Sequence, residues 1–344
     1  MREPFFSTFH PAVEQVLRGY TVQPESQFRQ MLRDELAEIP QPIPHTTPQN
    51  RSLHELYELR ACYLDWELGT GYLGFFAQNA GTRYTFTRRL EVVLRMLAQV
   101  LHQKQGHASA LRILEIGCGA GLLCLELARS AKIVVGIDIS HFVLDFANRV
   151  KDYLHCDNVF FQQGDAEHLA FDNDTFDVVI CSEVLEHLIK PQQALTEMRR
   201  VLKKDGTLIL TTPCALSLSD LCMNLLRLIR PSIESEKDVH FDKKTYLALQ
   251  RQGKQPDAKT FLRVHTRFHY NNLLAMIKNA GFEMQHAVGT VFAFPPHYQV
   301  FYRYCPALLL PAIRFMENLL NRMSVFQRVG AVTTCFRLKS GDIS

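Results

Sequence analysis

Between residues 111 and 213 the chain alternates two textures. Short apolar runs, LRILEIG (111–117), KIVVGIDIS (132–140), FDVVICSE (176–183) and GTLILTTP (206–213), read as strands, as does the more polar NVFFQQGD (158–165). The stretches between them, LLCLELARS, FVLDFANRVKDYL and PQQALTEMRRVLK, space their apolar residues for helices, and the last places proline in its first turn. This alternation predicts an α/β fold with a parallel sheet covered by helices on both sides.

The flanks have different patterns. Residues 1–105 read as a helical segment, and Pro40, Pro42, Pro44 and Pro48 make a stiff break within it. Leu53, Leu56, Tyr57, Leu59, Arg60, Tyr63 and Leu64 recur at helical spacing, as do Leu90, Val93, Leu94, Leu97 and Leu101. A core at 106–214 follows, then an acceptor-side insertion at 215–267, in which the helical LCMNLLRLIRP precedes a polar stretch. Residues 268–344 hold an amphipathic helix, HYNNLLAMIKNAGF, ending at Gly281, and two further strands, FEMQHAVG and VGAVTTCFRLK (329–339). Between those strands, 290–328 is an apolar insertion with the helical PALLLPAIRFMENLLNRM.

Composition narrows the class. The chain has 344 residues, 47% hydrophobic, with a formal net charge of +3. Near-neutral charge gives no footprint for a nucleic-acid partner. Nine cysteines are scattered with no C-x-x-C pair, so buried reduced thiols such as Cys181 and Cys335 are expected, not zinc or disulfides. The opening residues, MREPFFSTFHPAVEQV, lack the pattern of a secretory signal. The longest apolar run, 305–313, is too short to span a bilayer. A cytoplasmic protein is expected, with peripheral membrane contact through 290–328 left open.

The first strand ends in Glu115-Ile-Gly117-Cys118-Gly119-Ala-Gly121 and opens a helix. Such glycines permit a tight turn and a close ligand. The spacing is G-x-G-x-G, with Leu at 122, and departs from the G-x-G-x-x-G of pyrophosphate-binding loops. It suits an adenosyl ligand with an amino-acid tail. Asp138, ending the second strand, can accept hydrogen bonds from both ribose hydroxyls. Asp165 and Ala166 follow the third strand, where a carboxylate and backbone can read an adenine amino group. Carboxylates at successive strand ends mark the place where open α/β sheets bind ligands.

The stretches LEIGCGAG, GIDIS, GDAEHLAF, FDVVICSEVLEHL and MRRVLKKDGTLILTTP together resemble the class I S-adenosylmethionine-dependent methyltransferases. The resemblance implies a Rossmann-like fold with a seven-stranded, mostly parallel sheet whose antiparallel last strand VGAVTTCFRLK could supply. It implies S-adenosyl-L-methionine as cofactor. Glu115, Gly117, Cys118, Gly119 and Gly121 would hold the methionine moiety, Asp138 with Ile139 the ribose, and Asp165 with Ala166 the adenine. Ser182 and Glu183 would lie beside the cofactor. Arg83, with Tyr84, could fold over its carboxylate.

The acceptor side carries less signal. Glu183, Glu186 and His187 would share a helical face if SEVLEHL forms a helical turn. Ubiquinone-biosynthesis O-methyltransferases and small-RNA 2′-O-methyltransferases have a similar pattern and use it for metal. A divalent cation therefore stays open beside two alternatives, His187 as a general base or as a structural residue. His265, in HTRFHY, is the second catalytic candidate, and His240 a weaker one. The apolar insertions favour a small hydrophobic acceptor, quinone-like, lipid or secondary metabolite, methylated on oxygen or carbon. RNA- or protein-directed transfer is the rival, disfavoured by charge and by the lack of an Asn/Asp-Pro-Pro-aromatic element after the fourth strand. A non-catalytic binding module is the third reading.

Overall fold

The computed structural model describes residues 80–103, 111–213, 266, 268–292, 302, 304–323 and 326–341. The proline-rich break, the helical spacing at 53–64 and LCMNLLRLIRP lie outside the described residues.

The described elements run in the order α1 (Ala80–Gln103), β1 (Arg112–Ile116), α2 (Leu122–Leu127), β2 (Ile133–Asp138), α3 (His141–Tyr153), β3 (Val159–Gln163), β4 (Phe176–Ser182), α4 (Pro191–Val201) and β5 (Leu202–Pro213). They continue with α5 (Tyr270–Asn279), β6 (Phe282–Phe292), α6 (Leu310–Leu320) and β7 (Ala331–Ser340). The seven strands form one sheet in the order β3-β2-β1-β4-β5-β7-β6. β1 to β5 are mutually parallel, and β7 runs antiparallel between β5 and β6. The seven-stranded sheet and its antiparallel last strand match the expectation.

Successive residues of the central strands point to opposite faces, and both faces are apolar. Leu114, Ile116, Val179, Cys181, Leu208 and Leu210 join one core with Leu195 and Met198 of α4 and Leu273 and Ile277 of α5. Ile113, Val178, Ile180 and Ile209 join the other, with α1, α2 and α3. This two-sided burial is why the strands appear in sequence as continuous apolar runs. Helix α1 adds Leu90, Val93 and Leu97 to the second core.

One boundary differs from expectation. The apolar spacing carried the fourth helix to Lys203, but α4 stops at Val201 and β5 begins at Leu202. Leu202 pairs with Phe176, and Thr207 with Val178, so residues 203–206 bulge out of the ladder. Asp205, at φ 63°, turns the chain there. Cys118, Cys124, Cys181, Cys305 and Cys335 are buried free thiols.

Candidate active site

The carboxyl ends of β1, β2 and β4 gather the candidate residues. The loop after β1 is pinned to β2, because the amides of Gly117 and Cys118 both donate to the Ile137 carbonyl, at 2.8 and 3.0 Å. Gly117 and Gly121 have φ of 68° and 74°, a region that favours glycine. A Cβ on Gly117 would stand 2.2 Å from Val184 Cγ2, and one on Gly121 2.3 Å from the Phe161 ring. The loop thus lies tightly between the segment after β4 and the side chains of β3.

Asp138 organises this loop. Its Oδ2 accepts from the Gly119 amide and its Oδ1 from the Ser140 amide, each at 3.0 Å. The Ile139 amide also donates to this carboxylate, and the lone-pair capacity left beyond the three amides can accept from a hydroxyl. Burial pushes the Asp138 carboxyl above its ordinary value, against these hydrogen bonds. Glu115, beneath the loop, is buried and accepts from Cys124 Sγ at 2.9 Å. Burial raises its pKa to about 8. Burial likewise pushes the Cys118 thiol up to about 11.

At the next strand end the Gly164 amide donates to the Asp138 carbonyl at 2.9 Å. Asp165 accepts from the Glu167 amide at 2.8 Å and faces His168 Nδ1 at 3.3 Å, and Ala166 is buried. Ile139 lies between Asp138 and Ser140, and its carbonyl accepts from Gln163 Nε2 at 2.9 Å.

After β4, Ser182 Oγ lies 3.0 Å from Thr211 Oγ1. Glu183 adopts φ 57°, uncommon for a side-chain-bearing residue. Its amide donates to the Thr211 carbonyl at 3.0 Å, and its Oε1 accepts from Thr211 Oγ1 at 2.9 Å. Arg89 Nη1 of α1 lies 3.4 Å from its other oxygen. The left-handed Glu183 breaks the helical turn envisaged for SEVLEHL, and a short 3₁₀ turn covers only Leu185–His187. Glu183, Glu186 and His187 therefore do not share one helical face. Glu186 is fully buried, accepts from Thr212 Oγ1 at 3.1 Å, and has its pKa driven up by burial and by Glu183. His187 is one-third exposed, with Nε2 3.9 Å from Glu186 Oε1. Among the described residues, no group of three or more His, Cys, Asp or Glu could hold a metal ion.

Arg83 is exposed on α1, and the cation of this helix that reaches Glu183 is Arg89. His240 and His265 lie outside the described residues. Sequence reasoning missed Arg89, Thr211 and Thr212. The threonines had a signal, since they end β5 beside β4; Arg89 had none.

The sheet order, the glycine loop after β1 and the acids ending β2 and lying just beyond β3 have the arrangement of the Rossmann-like class I methyltransferase fold. Residues 107–260 match the family model described as "Methyltransferase domain". The chain is 35% identical over 99 residues to "Uncharacterized methyltransferase YcgJ" of Bacillus subtilis, covering 29% of this chain and 39% of that protein. It is 33% identical over 121 residues to a ubiquinone biosynthesis O-methyltransferase of Coxiella burnetii, covering 35% of this chain and 49% of that protein. The matches thus span half or less of these relatives' length. Among solved structures, magnesium protoporphyrin IX methyltransferase of Synechocystis, with bound SAH, superposes at TM-score 0.51 and 14% identity, over 82% of this chain and 98% of that one. At that identity the likeness concerns the fold.

Proposed function

We infer that this protein transfers a methyl group from S-adenosyl-L-methionine to an oxygen or carbon of a small hydrophobic acceptor. The observation that carries the cofactor is the pairing of the left-handed glycine loop with Asp138, whose carboxylate braces the loop and keeps lone-pair capacity for a ribose hydroxyl. Gly117 to Gly121 would take the methionine moiety, Asp138 with Ile139 the ribose, Asp165 with Ala166 the adenine. Ser182 and Glu183 would border the reacting end.

When bound, the cofactor supplies a methyl group already activated on a sulfonium. The protein's part is then to align the acceptor and exclude water. Glu183, held by Thr211 and Arg89, offers a fixed negative edge. His187 is the candidate to take a proton from a hydroxyl acceptor. A ubiquinone biosynthesis O-methyltransferase among the relatives supports a small-molecule oxygen acceptor.

Calorimetry tests the first half: S-adenosylmethionine or its demethylated product binds at micromolar levels or tighter, and NAD does not. Saturable NAD binding without a response to S-adenosylmethionine would overturn the reading. Transfer of labelled methyl into hydroxylated quinones and lipids, but not RNA or protein, tests the second half.

A further inference from the structure

Helix α6 buries a charge and exposes large apolar side chains. Its inward face carries a charge, Glu317, whose side chain is fully buried with Arg88 Nε at 2.9 Å and the Tyr84 hydroxyl at 2.8 Å. Its outward face carries large apolar side chains beside Arg314 and Asn318. Phe315 is 72% exposed and Leu319 50%, flanked by Leu308 at 79% and Met323 at 58%. Soluble monomers seldom expose large apolar side chains so close together without a binding role.

Among the described residues of α1 and 304–323, the exposed charge beside this face is mostly positive. Within residues 304–323 the single carboxylate is the buried Glu317, and the exposed charges are Arg314 and Arg322. Glu91, the neighbouring acid on α1, is held by Arg88, Arg95 and Arg314. Arg88 and Glu317 neutralise each other in the interior, so among the described residues of α1 and 304–323 the exposed Arg95, Arg314 and Arg322 stand against the partly exposed Glu91. An apolar strip bordered by arginines complements an anionic lipid surface: guanidinium groups meet phosphates while Phe and Leu enter the acyl boundary. Among the described residues no helix is long and apolar enough to cross a membrane, so such contact lies in the plane of the interface.

We propose that the outward face of α6 docks the protein on an anionic lipid surface. The same helix reaches the candidate active site through one neighbour. Glu317 binds Arg88, and the next residue, Arg89, contacts Glu183. Resting on the methyltransferase reading, this makes the acceptor an apolar molecule dissolved in that membrane.

The test is flotation of the full chain, without cofactor, on vesicles of phosphatidylcholine alone or with about a quarter phosphatidylglycerol. The protein floats with the anionic vesicles and stays behind with the neutral ones. The double variant Phe315→Ser, Leu319→Ser lowers the bound fraction about tenfold or more. Its thermal midpoint stays unchanged, since both side chains already face solvent. Arg322→Glu weakens flotation on anionic vesicles. Failure of the native chain to float, equal flotation on neutral vesicles, or no response to the double variant each overturns the docking surface. So does self-association on size exclusion that the double variant abolishes, which would assign the face to a second copy. Vesicle-free calorimetry with S-adenosylmethionine is read separately, so loss of docking and loss of the methyltransferase reading are distinguishable.

Discussion

Arg89 Nη1 lies 3.4 Å from Glu183 Oε2, joining helix α1 to the end of β4. Both side chains are about a quarter exposed, at 28% and 24%. A pair this accessible contributes about 1 kcal/mol or less to stability. Arg89→Ala therefore leaves the urea midpoint nearly unchanged. Its effect falls on the site, because Arg89 is the cation beside Glu183 and also lowers the pKa of Glu115 and Glu186. Cofactor affinity or turnover drops about tenfold, as for loss of one charge-assisted contact. A shift in the urea midpoint with intact binding and turnover would make Arg89 purely structural.

Arg88, one residue earlier, behaves in the opposite way. Its guanidinium and the Glu317 carboxylate are both fully buried, and Arg88 also reaches Asn318 Oδ1 at 3.0 Å. Removing one partner strands the other charge. Arg88→Ala or Glu317→Ala costs about 3–5 kcal/mol, whereas Arg88→Met with Glu317→Leu recovers most of it. Denaturant unfolding of the three variants checks this, and an additive double variant would contradict it.

Asp138→Ala removes the acceptor for the Gly119 and Ser140 amides as well as for any ribose hydroxyl. Cofactor affinity falls by about 2–3 kcal/mol, the range for charge-assisted hydrogen bonds. The fold survives, since the residue ends a strand. Calorimetry on the folded variant decides, and unchanged affinity would remove Asp138 from the site.

The elements legible in sequence are those whose signal is local. Strands β1, β2, β4 and β5 could be read because burial on both faces leaves unbroken apolar runs, and the glycine loop because its chemistry lies within seven consecutive residues. The Arg88–Glu317 pair joins positions 229 apart, which no periodicity links. Arg89 resembled any arginine on the polar side of a helix. The shared face assumed for Glu183, Glu186 and His187 failed for a local reason that spacing cannot reveal: Glu183 sits at φ 57°, held there by Thr211.

Glu115 makes stability depend on pH. Burial raises its pKa from an ordinary value near 4.5 to about 8 in the folded protein. Between these values the unfolded chain has lost a proton that the folded chain keeps. The Glu115 contribution is therefore fully present below pH 4.5, declines as pH rises, and is lost above about pH 8. Glu115→Gln, which carries no titrating proton, flattens this decline. Thermal midpoints of both proteins across that window test it. Parallel curves would mean that Glu115 titrates normally.

His187 separates three mechanisms. A cation would need Glu183 and Glu186 as ligands beside it, yet each carboxylate already has a protein partner. Glu183 is held by Thr211 and Arg89, and Glu186 by Thr212 in a fully buried setting that favours its neutral form. Binding metal would require ionising Glu186 against burial and releasing Glu183 from Arg89. The expectation is that EDTA leaves transfer unchanged. His187→Ala then lowers turnover about a hundredfold or more with cofactor affinity intact, the signature of a lost general base. That outcome implies an oxygen acceptor, or a carbon made nucleophilic by deprotonating a neighbouring hydroxyl. Loss of activity in EDTA, restored by magnesium, would reverse the assignment and make the three residues a metal site. If neither treatment alters the rate, His187 is structural, and alignment of acceptor and donor suffices for transfer.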